Sequence, residues 1–101
     1  MVKHIILWKL KEEFGAEEKE NIKAGIKAGL EGLKGKIPGL IDIKVNTVPL
    51  PSSNCDVMLD SSFTDEASLK GYAVHPDHVA VADGKVRPYT KSRVCMDYES
   101  V

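Results

Sequence analysis

The chain has 101 residues, enough for a single domain over 1–101 and too few for a second. Its 14 Lys and Arg nearly cancel its 15 Asp and Glu, so no basic surface for nucleic acid or for an anionic membrane is expected. Apolar residues at 43% and charged residues at 29% give the balance of a folded, soluble protein.

Val2 to Leu10 alternates, with Val2, His4, Ile6, Trp8 and Leu10 on one face and Lys3, Ile5, Leu7 and Lys9 on the other. Both faces are apolar in the middle, which places the strand at the centre of a sheet covered on two sides. The same run is interrupted by Lys3, His4 and Lys9 and precedes an acidic segment, unlike a secretory leader. No apolar stretch approaches the roughly 20 residues of a membrane span, and a cytoplasmic location is expected.

Ile22, Ile26, Leu30, Leu33 and Ile37 recur at helical steps, predicting one amphipathic helix from Ala16 to Gly35 that ends at Pro38 and Gly39. Gly25, Gly29 and Gly32 share the flank of its apolar stripe, and helix-interior glycines imply a packing reason. The favoured one is close approach of helix to sheet; the other is a roomier pocket. Lys19, Lys23, Lys27 and Lys34 read mostly as a solvated face.

Leu40 to Val48 predicts a strand with Ile41, Ile43, Val45 and Thr47 inward and Asp42, Lys44 and Asn46 outward. Asp56 to Phe63 predicts a third, with Val57, Leu59, Ser61 and Phe63 on one face. Thr64 or Asp65 can cap a second helix that carries Leu69 and Tyr72, falters near Val74 and restarts after His75-Pro76. Arg93 to Tyr98 is the last strand. Cys55 and Cys95 lie in predicted strands without metal or disulfide spacing, and read as reduced, largely buried thiols.

The order βαββαβ is the ferredoxin-like α+β arrangement: a four-stranded antiparallel sheet with helices on one face. Two helices cover one side only, so the side bearing Ile5 and Leu7 needs another partner. A second copy of the chain suits it, because a two-fold axis lets one patch close on itself. A homodimer through the open sheet face is expected.

The opening Val2–Leu10 strand, the Ser62-Phe63-Thr64-Asp65 strand end, Tyr72-Ala73-Val74-His75-Pro76-Asp77-His78-Val79 and the closing Met96-Asp97-Tyr98 together resemble the stress-response A/B barrel (Dabb) family. The resemblance spans the whole chain and implies a ferredoxin-like subunit in a dimeric α/β barrel. The family includes a plant polyketide cyclase that forms olivetolic acid by aldol closure. Similarity to it implies a base at His78, a substrate-holding tyrosine at Tyr72 and a pocket histidine at His4.

These residue types suit that chemistry. Imidazole exchanges protons near neutral pH, and a phenol can donate to a developing oxyanion. His78 and Tyr72 are the catalytic candidates; His4, Trp8, Leu59 and His75 are the candidates for binding substrate, although His75 also reads as a local residue bonded to backbone. The His75/His78 pair with Asp77 falls short of a metal ligand set, and neither metal nor cofactor is expected. The expected role is binding of a small apolar or aromatic-type molecule between sheet and helices, with cyclase- or isomerase-like acid–base chemistry. The alternative is a non-enzymatic, stress-related homodimer with structural histidines.

Overall fold

A computed structural model describes all 101 residues. The elements are β1 (Val2–Leu10), α1 (Ala16–Glu31), β2 (Leu40–Asn46), β3 (Val57–Phe63), α2 (Glu66–Val74), α3 (Pro76–Val81) and β4 (Thr90–Glu99). A π-helical turn, Ala82–Val86, and a 3-10 turn, Arg87–Tyr89, join α3 to β4. The sheet is antiparallel with strand order β2-β3-β1-β4, the ferredoxin-like arrangement expected.

Alternation in β1 sets the two layers. Val2, His4, Ile6, Trp8 and Leu10 are all buried under the helices, while Lys3, Ile5 and Leu7 on the opposite face are half-buried. Ile26, Leu30, Leu33 and Ile37 pack onto Val45, Val57, Leu59 and Phe63 to form the core. No helix is long and apolar enough to cross a membrane.

The first helix ends earlier than its periodicity predicts. It stops at Glu31 with Gly32 as cap, and i to i+3 turns carry the chain past Gly35, whose φ is +83°. Leu33 and Ile37 are nonetheless buried, because those turns hold them near the same face. β2 carries a bulge between Leu40 and Asp42, so Leu40, Ile43 and Val45 point inward while Ile41, expected inside, is 45% exposed. β2 ends at Asn46, opposite Met58, and β4 starts three residues before the predicted Arg93, at Thr90, because β1 pairs with it along its full length.

At the start of α2 the cap is Asp65, whose carboxylate accepts the Ser68 N–H at 2.8 Å. Lys27 is more than a solvated lysine: its ammonium donates to the Val45 carbonyl and to Glu31, each at 2.8 Å, and Glu31 accepts the Val45 N–H at 2.8 Å. Burial raises the Glu31 carboxyl, but the bonds from Lys27 and Val45 outweigh it and hold it below the usual carboxylate range. This clasp satisfies backbone groups on an edge strand that could otherwise recruit another chain.

The glycines of α1 permit a close approach, but to a different neighbour from the one expected. A Cβ on Gly29 would lie 2.8 Å from Val81 Cγ1, and one on Gly25 would lie 3.8 Å from the Lys85 stem. Their face therefore meets α3 and the π-turn instead of the sheet. Gly25→Ala should stabilise the fold by about 0.5–1 kcal/mol, the gain in helix propensity. Gly29→Ala has the same gain, but displacing the stiff Val81 side chain costs about 1–3 kcal/mol and outweighs it. Urea midpoints should rank Gly25→Ala above the parent protein and Gly29→Ala below it.

Candidate functional site

The helices leave the β4 side of the sheet uncovered. A cavity of about 680 Å3 opens there, between β1 and β4 on one side and α2, α3 and the π-turn on the other. Ile6, Trp8, Leu59 and Leu69 give it an apolar floor and wall. His4, Tyr72 and His78 line it too, so with Trp8 and Leu59 five of the six expected residues line the cavity, from β1, β3, α2 and α3.

His4 is directly opposite Asp97 in the β1–β4 register, and its Nδ1–H donates to the Asp97 carboxylate. That bond fixes the imidazole tautomer and ring plane. Cys95 projects from the same face of β4; its sulfur is 3.8 Å from His4 Nδ1 and 3.5 Å from Asp97 Oδ1. Burial and then the Asp97 charge push the Cys95 thiol up, which favours its protonated form at neutral pH.

Tyr72, fully buried on the inner face of α2, is packed among aromatic rings. Its centroid is 5.0 Å from Phe63, 6.0 Å from His4 and 4.1 Å from His78. The hydroxyl is buried with no hydrogen-bond partner. Burial raises its pKa far above the ordinary tyrosine value, against a smaller opposing effect of Arg93, so the phenol remains an O–H donor.

His78 is half-buried on α3, and its Nδ1–H is directed to the Ala73 carbonyl at 3.4 Å. With that proton engaged, Nε2 carries the free lone pair. Burial pushes the ring below the ordinary histidine value; the Ala73 bond opposes this and the charges of Arg87, His4 and Arg93 reinforce it. At neutral pH the ring is therefore an uncharged base.

His75 takes no part in the cavity. It caps α3, its Nδ1 accepting the Asp77 N–H at 3.1 Å, with Pro76 at the first helical position. Its expected place among substrate-binding residues gives way to the backbone role, because the ring is used in ending α2 and starting α3. The two thiols also differ from expectation. Cys55 lies in the loop before β3 and is half-buried, while Cys95 is exposed to the cavity because no helix covers β4.

Sequence reading missed Arg93, Cys95 and Asp97. The signal was alternation along the last strand, which sets these three against Val94, Met96 and Tyr98, combined with the neighbouring of β1 and β4 in this topology. His4, Cys95 and Asp97 are also the one group that could hold a metal ion, their ligand atoms lying within 4.8 Å of one another. The His4–Asp97 hydrogen bond already occupies two of the three ligand atoms, and a tight site would need more.

Because the His78 pKa is lowered in the fold, the unfolded chain takes up that proton first as pH falls. The contribution to stability is complete above the unfolded histidine value of about 6.5 and is lost progressively below it. Melting temperature should fall between about pH 7 and pH 5, and the fall should be shallower in His78→Asn, as scanning calorimetry at each pH would reveal.

The Stress responsive A/B Barrel Domain model matches residues 2–100. A dimeric protein of unknown function and ferredoxin-like fold from Bacteroides fragilis is 35% identical, with a TM-score of 0.91 over 98% of this chain and 95% of that one. A dabb family protein from Mesorhizobium loti is 21% identical, with a TM-score of 0.74 over 99% of this chain and 96% of that one. A hydroxynitrile lyase from Passiflora edulis shares the fold at 19% identity, with a TM-score of 0.71 over 96% of this chain and 90% of that one. No curated protein matches the sequence. Matched from the first strand to the last and folded as a ferredoxin-like subunit, the chain belongs to the stress responsive A/B barrel domain family.

Proposed function

We propose that the protein binds a small, largely apolar or aromatic-type molecule in the cavity between sheet and helices. There it carries out proton transfer without a cofactor, in the manner of an aldol cyclisation or an isomerisation. His78 is the base, Tyr72 the hydrogen-bond donor and His4, held by Asp97, a positioning group. The observation that carries this reading is Tyr72, a residue lining the cavity whose buried hydroxyl has no hydrogen-bond partner. Such a group costs about 1–3 kcal/mol unless something accepts from it, and a ligand carbonyl would do so.

Proton bookkeeping for the step is simple. His78 Nε2 takes a proton from the carbon next to the ligand carbonyl, and the electron pair moves onto the carbonyl oxygen. The Tyr72 O–H donates to that oxygen as its charge grows. The imidazolium then returns the proton to the carbon or oxygen that ends the reaction. Trp8 and Leu59 supply apolar contact for the rest of the molecule. The hydroxynitrile lyase among the structural neighbours supports the idea that this fold accommodates catalysis, although fold alone does not transmit it.

The second reading, a non-enzymatic homodimer with structural histidines, draws on the capping role of His75 and the stacking of His78 on Tyr72. One experiment separates the two. The neutral ketone 4-phenylbutan-2-one is incubated in D2O with the protein, and NMR follows exchange of the protons beside the carbonyl. Exchange should be accelerated by the parent protein and fall at least tenfold in His78→Ala and in Tyr72→Phe. Both variants should melt within a few degrees of the parent. No acceleration, or a His78→Ala variant that loses more than about 3 kcal/mol of stability, would favour the structural reading.

The dimer is proposed to form through the open sheet face. Ile5, Leu7 and Met58 lie there beside Val94 and Met96, which are 63% and 65% exposed, and Tyr98. Apolar surface of that extent on a sheet calls for cover. Several structural neighbours are described as dimeric. Sedimentation should give a dimer for the parent protein and a monomer for Met96→Glu, which would set like charges against each other across a two-fold axis.

A further inference from the structure

The charged groups around the cavity are paired off, with one exception. Lys70 faces Glu66 at 3.7 Å, and Arg87 is bound to Asp83 one helical turn away. Asp97 holds His4, and Glu99 lies 3.4 Å from the N-terminal ammonium. Arg93, on the cavity face of β4, has no carboxylate partner anywhere in the chain. It lines the same cavity as Tyr72 and His78, and its positive charge acts on both.

We infer that Arg93 is an anion-recognition residue, and that the natural ligand is a small molecule with an apolar body and a single carboxylate or equivalent anionic group. The inference rests on the reading of the cavity as a ligand site and narrows its substrate class. Three features converge on it. Arg93 offers a planar fork of donors that matches a carboxylate in two parallel bonds. The buried Tyr72 hydroxyl is a second donor without an acceptor, and no side chain of this protein fills that need. Both residues line a cavity to which Trp8, Leu59 and Leu30 give apolar surface.

Placement on β4 matters. Arg93 is directly opposite Trp8 in the β1–β4 register, so its stem rises from the strand beside the apolar floor. A ligand anchored by its anion at Arg93 lays its body along that floor, within reach of Tyr72 and His78. Neighbouring acidic groups do not compete for the charge, since each already has its own partner. A carboxylate gains a charge-assisted, two-bond pairing with the guanidinium, whereas a neutral amide offers only its carbonyl oxygen.

The test compares two probes of equal shape, 4-phenylbutyrate and 4-phenylbutyramide, by fluorescence of Trp8, the one tryptophan of the chain and a residue lining the cavity. At low salt the parent protein should bind the carboxylate at least tenfold more tightly than the amide, and the preference should shrink as salt rises. In Arg93→Met, which keeps the stem and removes the charge, the preference should vanish while amide binding changes less than about twofold; Arg93→Lys should retain part of it. Equal binding of both probes to the parent protein overturns the anion inference and leaves the cavity reading standing. A carboxylate preference that survives Arg93→Met also overturns it, by placing the anion elsewhere. Failure of both probes to bind overturns the cavity reading and the inference with it.

Discussion

The fold depends on a first strand that is apolar on both faces. β1 is hydrogen-bonded on one side to β3 and on the other to β4, so each face continues across neighbouring strands. Beneath the helices its inward residues anchor the core through Ile6, Trp8 and Leu10. On the opposite side Ile5 and Leu7 meet Met58, Val94 and Met96 and build the face that a second subunit would cover. A strand of this kind cannot sit at an edge, because burial on both sides requires a neighbour in each direction.

The cavity follows from how little the helices cover. α1 lies over β2 and the inner strands, with Glu31 and Lys27 fastening it to Val45. The second helical layer breaks at His75-Pro76, and its later part packs against the glycine flank of α1. Drawing α3 toward α1 leaves the cavity face of β4 bare, and Arg93, Cys95 and Asp97 stand there exposed. The glycines therefore act on the site indirectly: they set where the second helix lies and so which strand remains uncovered.

Electrostatics then divides the polar groups by task. Burial holds Tyr72 protonated and His78 neutral, the two states that suit a donor and a base at the same pH. The hydrogen bond to Asp97 orients His4, and local ion pairs neutralise the charged lining residues except Arg93. Under the function proposed, Arg93 would take the anion, Tyr72 a carbonyl oxygen and His78 a proton.

Local pattern made much of this legible before any tertiary contact was known. Period-two alternation located the first three strands, the steps between Ile22 and Ile37 located α1, and Thr64-Asp65 and His75-Pro76 marked the helix starts, because these signals are carried by neighbours along the chain. The Tyr72 to His78 segment pointed to two cavity-lining residues, Tyr72 and His78, through its resemblance to the family. Tertiary structure alone decided the rest. Ile41 turned outward because a bulge, set by pairing with β3, shifted its register. The face of Gly25 and Gly29 met α3 instead of the sheet because helix placement depends on both layers at once. His75 left the cavity when its ring became a cap. Asp97 became the partner of His4 through pairing across 93 positions of sequence, a proximity that no local window contains. Arg93 stands without an ion-pair partner, a property of the assembled surface and not of its neighbours in the chain.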